Sequence, residues 1–266
     1  MDRSPLPDDK IGVFDSGVGG LSVLRALHAR LSQAQLHYVA DSAYAPYGDR
    51  SAEEVIERSM RLTRYLLGAG ARMIVVACNT ATTAAIRALR AQWPRMPFVG
   101  VEPGIKPAVA RSPGGRIGVM ATQRTIDSER LRALVQDHAS GRTVVLQACP
   151  GLADAIEAGD ANPDRIDSLL RQYCLPLQQA HVDTVVLGCT HYPFVADRIR
   201  SIMGSKVLLI DTADAVAQRA QSLWPAATSG QAEGSLLLQT TGDPSTLMEL
   251  ARRWLPAEAV VERVSL

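Results

Sequence analysis

Two of the four cysteines, Cys78 and Cys189, each follow a short apolar segment of β-strand type and precede small polar residues. Their contexts, ACNTATTAAIRAL and GCTHYPFVADRI, predict that a helix begins after each cysteine. The N-terminus of a helix lowers the pKa of a thiol and offers free N–H groups to an anion. A thiolate in such a place can act as a base near neutral pH, and a matching thiol can act as an acid. The pair therefore predicts proton transfer on opposite faces of one substrate carbon.

Other interpretations of the two thiols stay open. A cysteine at a strand end is often a small buried apolar residue, and two cysteines can also be one nucleophile with a bystander, or a redox couple. His191, two residues after Cys189, is placed to tune a nucleophilic thiol. Asp15 ends the first predicted strand and is placed to orient a proton near Cys78. Because the two cysteines have similar contexts, we favour two-base proton transfer.

The remaining cysteines, Cys149 and Cys174, are weaker candidates. Cys149 also ends a predicted strand, in QACPGLADAIEAG, and is the third candidate thiol, whereas Cys174 lies in a helical stretch and is expected in the core. The absence of a CxxC pair argues against a zinc site and against a thioredoxin-like motif. We therefore predict free thiols and no metal.

The turn DSGVGGLSVL, after the first predicted strand, presents Asp15 and Ser16 beside glycines. It is a poor dinucleotide-binding motif, because Ser22 stands where the third glycine or alanine of GxGxxG should be. We favour a tight turn that offers a hydroxyl and backbone amides to a small anionic group at a helix start.

The loop YAPYGDRS follows the second predicted strand and contains Tyr47 and Gly48. A loop at the carboxyl end of a strand is well placed to cover a site. From the residues alone, an ordinary turn is the simpler interpretation.

Lysine is scarce, which bears on the cofactor. The lysines are Lys10, Lys106 and Lys206, and pyridoxal phosphate racemases need a lysine for their Schiff base. Lys106, in VEPGIKPA, is the plausible candidate, but it lies between prolines with no evident phosphate cradle. We therefore predict cofactor-free chemistry.

Short apolar strands alternate with longer segments of helical periodicity, which indicates an α/β fold with parallel sheets flanked by helices. Several of these strands are apolar almost throughout, as expected for strands buried on both faces. The candidate strands are KIGVFD, QLHYVAD, RMIVVAC, PFVGV, RIGVMA, TVVLQA, DTVVLGC, KVLLID and SLLLQTT.

An internal duplication predicts two similar, pseudo-symmetric lobes with the active site in the cleft between them. KIGVFDSG in the first half is echoed by RIGVMATQ in the second, and MIVVACNT is echoed by TVVLGCTH. Each half thereby places one cysteine at the carboxyl end of a strand, where open parallel sheets bind ligands. We predict a first lobe of residues 1–99 plus 208–266 and a second lobe of residues 100–207.

Composition excludes several classes of function. The 266 residues include 28 basic and 27 acidic side chains, for a net charge of +1, which does not suit a nucleic-acid-binding surface. The polar start MDRSPLPDDK lacks the apolar core of a signal peptide, and the sequence has no apolar stretch long enough to cross a membrane. We expect a cytoplasmic protein that binds neither nucleic acid nor membrane.

Five segments, in order, resemble the signature segments of glutamate racemases, within the aspartate/glutamate racemase superfamily. They are FDSGVGGLSV, ADSAYAPYGDRS, ACNTATTAA, VEPGIKPA and LGCTHYPF. The resemblance implies cofactor-independent interconversion of L- and D-glutamate, which supplies D-glutamate for peptidoglycan, in a protein that forms a homodimer. It implies that Cys78 and Cys189 are the acid/base thiols, assisted by Asp15 and His191, with Glu157 in AIEAG near the second thiol. It implies substrate contacts at Asp15, Ser16, Tyr47, Gly48, Asn79, Thr80, Thr190 and His191.

Three alternatives remain beside this interpretation. Resemblance to an aspartate racemase would imply an acidic residue after the second Cys-Thr, where this chain has His191. A broader amino-acid racemase of the same superfamily is a further enzymatic alternative. Some glutamate racemases also inhibit DNA gyrase, so a racemase-like binding protein is the alternative from another class. Intact Cys78 and Cys189 favour the enzyme.

Overall fold

The structure is a computed structural model that describes residues 9–159, 163–224, 234–255 and 259–266. The chain divides into two compact units, one of Met1–Val101 with Ala213–Leu266 and the other of Glu102–Thr212. Helices and strands are numbered below along the chain. In the part that the structure describes, no helix is long and apolar enough to cross a membrane.

The first unit contains a parallel sheet with the strand order β10-β9-β2-β1-β3-β4. β1 is buried from its second residue to its end, which agrees with its unbroken apolar sequence. The strands are β1 (Lys10–Asp15), β2 (Gln35–Ala40), β3 (Ala71–Val76), β4 (Phe98–Gly100), β9 (Leu236–Thr240) and β10 (Val260–Arg263).

Helices of the first unit bury one apolar face each. α2 begins with a capping box, in which Ser51 accepts from the Glu54 N–H at 3.1 Å and the Glu54 carboxylate accepts from the Ser51 N–H at 2.8 Å. α2 and α3 pack against each other, and α1 packs against α10 and α11. The helices are α1 (Leu21–Arg30), α2 (Ala52–Gly68), α3 (Asn79–Gln92), α10 (Ala213–Leu223) and α11 (Pro244–Trp254).

The second unit contains a parallel sheet with the strand order β6-β5-β7-β8. This order repeats the order β2-β1-β3-β4 of the first unit, so the strands before Cys78 and Cys189 are topological equivalents. The predicted duplication therefore extends from sequence to strand order. The strands are β5 (Arg116–Ala121), β6 (Thr143–Ala148), β7 (Thr184–Leu187) and β8 (Leu208–Ile210).

Helices cover both faces of the second sheet. Val186 packs in an apolar cluster with residues of α4 and α6, whereas its neighbours Val185 and Leu187 pack with residues of α7, α8 and α9. Successive side chains of a strand point to opposite faces, so β7 is buried on both. The helices are α4 (Ile105–Arg111), α5 (Gln123–Ile126), α6 (Glu129–His138), α7 (Leu152–Glu157), α8 (Pro163–Gln179) and α9 (Ala196–Met203).

The predicted fold class is confirmed, with two corrections to its details. The chain was predicted to return to the first lobe at residue 208, but β8 pairs with β7 in the second sheet, and the return comes with α10. β10 was not predicted, because VVERV is short and partly charged; it pairs with β9 at the end of the first sheet. The assignment of 1–99 plus 208–266 and 100–207 to separate domains otherwise stays a prediction.

Candidate active site

Polar residues gather at the carboxyl edge of the first sheet. Because its strands are parallel, their last residues lie along one edge. Asp15 ends β1, Asp41 follows β2, Cys78 lies two residues after β3, and Thr241 follows β9. Hydrogen bonds from Asp41 N to Asp15 O at 2.9 Å and from Ala77 N to Phe14 O at 2.8 Å continue the strand pairing to this edge.

The thiol of Cys78 is connected to a carboxylate through a serine hydroxyl. Cys78 Sγ lies 3.7 Å from Ser16 Oγ, to which it donates, and Ser16 donates from Oγ at 3.2 Å and from N at 2.6 Å to Asp15 Oδ1. Cys78 also caps α3, because the Ala81 N–H donates to its sulfur at 3.4 Å. Asp15 is therefore connected to Cys78 as predicted, and Ser16, which was not predicted beside the thiol, lies between them.

Burial and Asp15 together control the protonation of Cys78. Burial raises the pKa of this thiol well above its ordinary value, and the negative charge of Asp15 raises it further. Hydrogen bonds with the Ala81 N–H and the Ser16 hydroxyl lower the pKa of Cys78, but by less than burial and Asp15 raise it. The expectation that the helix N-terminus would give Cys78 a low pKa is wrong. Burial disfavours the charged thiolate more strongly than the helix N-terminus stabilises it.

Asn79 and Thr80 begin α3 and are both buried. Asn79 Nδ2 is a buried donor without a hydrogen-bond partner among the described residues. A buried donor left unpaired is costly, so such a group at a strand end points to a ligand that completes it. This amide is therefore suited to hold a carboxylate.

Tyr47 lies in a buried network rather than in an open loop. Its hydroxyl donates to Asp41 Oδ2 at 2.6 Å, and Gly48, next to it, is half-buried. Burial raises the pKa of Tyr47 well above its ordinary value, and the charge of Asp41 raises it further, so Tyr47 is a neutral donor. Tyr47 and Cys78 belong to the same apolar cluster.

Arg58 was missed from the sequence. Its guanidinium donates from Nε at 2.9 Å and from Nη2 at 2.7 Å to Asp41 and lies 3.6 Å from the ring centre of Tyr44. A signal was present, because Arg58 falls between Val55 and Leu62 on the apolar face of α2. A charged residue on such a face needs a buried counter-ion.

In the second unit, the thiol of Cys189 lies beside a histidine that is paired with a carboxylate. Cys189 Sγ lies 3.7 Å from His191 Nδ1, and His191 Nε2 lies 2.6 Å from Glu157 Oε2, at the end of α7. Burial alone would lower the pKa of His191, but hydrogen bonds to Cys189 and Glu157, with the charges of both, raise it well above its ordinary value. Thr190, which lies between Cys189 and His191 in the sequence, is also buried.

No long helix begins directly after Cys189. Residues Tyr192–Val195 form a short 3-10 turn, and α9 starts only at Ala196. The prediction of a helix N-terminus next to this thiol is therefore wrong. Its nearest charged partner is the side chain of His191 instead.

Cys149 and Cys174 are poorly placed for acid/base work. Cys149 lies at the carboxyl end of β6, where its thiol donates to the carbonyl of Gln147 at 3.5 Å, and burial raises its pKa. Cys174 is buried within α8, and burial raises its pKa to about 11. Both belong to the apolar cluster that also contains Cys189.

The glycine-rich turn after β1 serves close packing. A Cβ on Gly20 would lie 2.8 Å from Asp15 Cβ and 2.8 Å from the ring of Tyr38, so only glycine fits there.

Lys106, the lysine considered as a cofactor ligand, is exposed on α4. Across residues 9–159, 163–224, 234–255 and 259–266, no three His, Cys, Asp or Glu side chains are grouped to hold a metal ion.

Comparisons with known proteins agree on one family. The family model described as Asp/Glu/Hydantoin racemase matches residues 11–220. A glutamate racemase of Herpetosiphon aurantiacus is 47% identical over 243 residues, which is 90% of this chain and 95% of that protein.

Solved structures show the same similarity. The RacE1 isoform of glutamate racemase from Bacillus anthracis has a TM-score of 0.87 at 31% identity and covers 98% of this chain and 99% of its own. Glutamate racemase from Escherichia coli, solved with L-glutamate and the activator UDP-MurNAc-Ala, has a TM-score of 0.85 at 27% identity, over 97% of this chain and 98% of its own.

Proposed function

The chain belongs to the Asp/Glu/hydantoin racemase family and matches glutamate racemases over nearly its whole length, and on that premise we propose how it interconverts L- and D-glutamate. Cys78 and Cys189 act on opposite faces of the α-carbon. One thiolate removes the α-proton, and the other thiol donates a proton to the opposite face. The configuration inverts, no atom is lost, and the two sulfurs exchange protonation states.

One observation carries this proposal. Two topologically equivalent strands, β3 and β7, lead to a buried cysteine, and each cysteine is linked to a carboxylate through one polar group. A single strand-end cysteine is often only a core residue. A repeated thiol with a repeated connection to a carboxylate is better explained by a reaction that uses both faces of a substrate.

The two thiols have different surroundings. Burial and Asp15 raise the pKa of Cys78, so this sulfur rests as a thiol and serves as the acid. Against the effect of burial, hydrogen bonds to Cys189 and Glu157 raise the pKa of His191, so a cationic imidazole lies beside the second sulfur. In this proposal Cys189 is the base that removes the α-proton when Cys78 is the acid.

Substrate carboxylates bind to hydroxyls, amides and backbone N–H groups in this proposal. In the first unit these are Ser16, the unpaired amide of Asn79, the start of α3 at Thr80, and the Tyr47–Gly48 segment. In the second unit they are Thr190 and His191.

The wider setting belongs to the same proposal. D-Glutamate made by this reaction enters peptidoglycan synthesis, and the enzyme works without cofactor as a cytoplasmic homodimer. The relatives that support glutamate as substrate support this setting. Light scattering of the purified protein tests the dimer.

The decisive experiment follows glutamate chirality and α-deuteration in deuterium oxide without added cofactor. Cys78→Ala and Cys189→Ala should each lower kcat for racemisation by about 10²- to 10⁴-fold, because each removes one acid/base group. Cys149→Ala is the matched control, a strand-end cysteine outside the mechanism, and should keep its activity. Full activity in either of the first two variants would overturn the mechanism, and aspartate turnover equal to that of glutamate would favour the broader racemase.

A further inference from the structure

Asp41 is a fully buried carboxylate that the proton transfer does not use. Its Oδ2 accepts from Tyr47 Oη at 2.6 Å and from Arg58 Nε at 2.9 Å. Its Oδ1 accepts from Arg58 Nη2 at 2.7 Å and from Thr241 Oγ1 at 2.9 Å. Each oxygen therefore has two donors among the described residues, and the charge is balanced by Arg58.

A carboxylate bonded in this way is suited to hold structure rather than to move protons. Its acceptor positions are occupied, and a bidentate guanidinium fixes its plane. Its partners come from three separate segments: the loop after β2, helix α2, and the turn after β9. Asp41 thus fastens the Tyr47 loop to two other parts of the first unit.

Thr241 holds the loop at two points. While its hydroxyl donates to Asp41, the same oxygen accepts from the Ala43 N–H at 3.1 Å. The next residue fits closely, because a Cβ on Gly242 would lie 2.9 Å from Ser42 Cβ. Thr241 also lies beyond residue 220, where the family match ends.

We propose that Thr241 is a positioning residue for racemisation: with Arg58 it fixes Asp41, and through Asp41 it fixes the Tyr47 hydroxyl and the conformation of Tyr47–Gly48 that binds glutamate. This inference rests on the proposed function, in which Tyr47 and Gly48 contact the substrate. Its second support is that Tyr47 packs in the same apolar cluster as Cys78, so the loop that Asp41 holds lies in the part of the first unit that contains the thiol.

The test is steady-state kinetics of Thr241→Val, which keeps the shape of the side chain and removes its hydroxyl. The change leaves the Ala43 N–H and one Asp41 acceptor position without their partner. We expect KM for glutamate to rise about tenfold with kcat changed by less than about threefold, since binding geometry is lost while both thiols remain. Thr241→Ser, which keeps the hydroxyl, should restore KM.

Thr63→Val is the matched control. Thr63 is fully buried in α2, and its Oγ1 has no hydrogen-bond partner among the described residues, so the same substitution removes no such contact. Its KM should equal that of the unchanged protein. A KM that rises equally in both valine variants, or that stays unchanged in Thr241→Val while only the melting temperature falls, would overturn the inference.

A double-mutant cycle separates positioning from general destabilisation. If Thr241 and Tyr47 act through the same carboxylate, the combined Thr241→Val and Tyr47→Phe variant should raise KM by less than the product of the single effects. Multiplicative effects would count against the inference. Should Thr241→Val not fold, Thr241→Ala takes its place, because it removes the same hydroxyl and must raise KM relative to Thr241→Ser.

The outcomes also separate this inference from the proposed function. Inactive Cys78→Ala and Cys189→Ala variants, together with an unchanged KM in Thr241→Val, would overturn only the inference. Active cysteine variants would overturn the mechanism on which the inference rests.

Discussion

Both units connect a buried thiol to a carboxylate, but they use different groups for the connection. In the first unit a serine hydroxyl lies between Cys78 and Asp15, and in the second the imidazole of His191 lies between Cys189 and Glu157. A serine hydroxyl can donate and accept hydrogen bonds but stays uncharged. An imidazole can carry a positive charge near neutral pH. Equivalent strands thus place equivalent thiols, and the intervening side chain gives each thiol a different electrostatic environment.

The echoed sequences locate the origin of this difference. Where KIGVFDSG has Asp15 and Ser16, RIGVMATQ has Ala121 and Thr122, so the carboxylate after β1 has no counterpart after β5. Thr122 instead caps α5 by accepting from the Thr125 N–H at 3.4 Å. The second unit takes its carboxylate from α7, and the imidazole bridges the distance to the thiol.

Asp15→Asn is expected to have the largest effect among changes to the thiols' neighbours. Loss of the negative charge should lower the pKa of Cys78, and kcat for glutamate should fall by about 10²-fold because the carboxylate connected to this acid through Ser16 is lost. The shift is measured as pH-dependent thiolate absorbance in a variant whose only cysteine is Cys78. If that absorbance rises at a higher pH than in the Asp15 protein, the contrast between the units is wrong.

Glu157→Gln should have a moderate effect. The charge of Glu157 helps to keep the pKa of His191 raised, so the variant should lose its imidazolium at a lower pH. We expect kcat to fall about tenfold, with the alkaline limb of the pH–rate profile moved to lower pH. Glu249→Gln, which removes only an exposed ion pair with Arg253, is the control. An alkaline limb at the same pH in Glu157→Gln and in the unchanged protein would show that Glu157 does not control the protonation of His191.

His37→Gln should change stability but not catalysis. Burial lowers the pKa of His37, and Lys10 lowers it further, against opposing effects of Gln239 and Glu262. His37 Nε2 pairs with Gln239 Oε1 at 2.7 Å, while the buried Nδ1 has no partner among the described residues.

The sign of the pH effect follows from that lowered pKa. The folded protein binds this proton less readily than the unfolded chain, so the stability contributed by neutral His37 is present above about pH 6.5 and lost as the pH falls below it. His191 has the opposite slope, since its raised pKa gives stability that is present at low pH and lost as the pH rises through that pKa. Urea unfolding at about pH 5.5 and about pH 7.5 should show a smaller loss at low pH for His37→Gln than for the unchanged protein. An unchanged difference between the two pH values would contradict this assignment.

Local features of the sequence were sufficient for the strands and the cysteines. RIGVMA and TVVLQA were predicted at the residues that form β5 and β6, because short runs rich in apolar and β-branched residues are typical of strands. Asp15 was predicted near Cys78 because it ends a strand of the same parallel sheet. β10 was missed because it is mostly exposed and has no apolar pattern.

By itself, the sequence determined the α/β class, the duplication and the two strand-end thiols, since each depends on patterns within a few residues. The tertiary structure decided which distant residues meet: Arg58 and Thr241 on Asp41, and Glu157 on His191, 34 positions away. It also decided the protonation of Cys78, because desolvation and a nearby carboxylate outweigh the helix N-terminus. Burial and charge are sums over neighbours that only the folded chain assembles, so no local pattern could have predicted them.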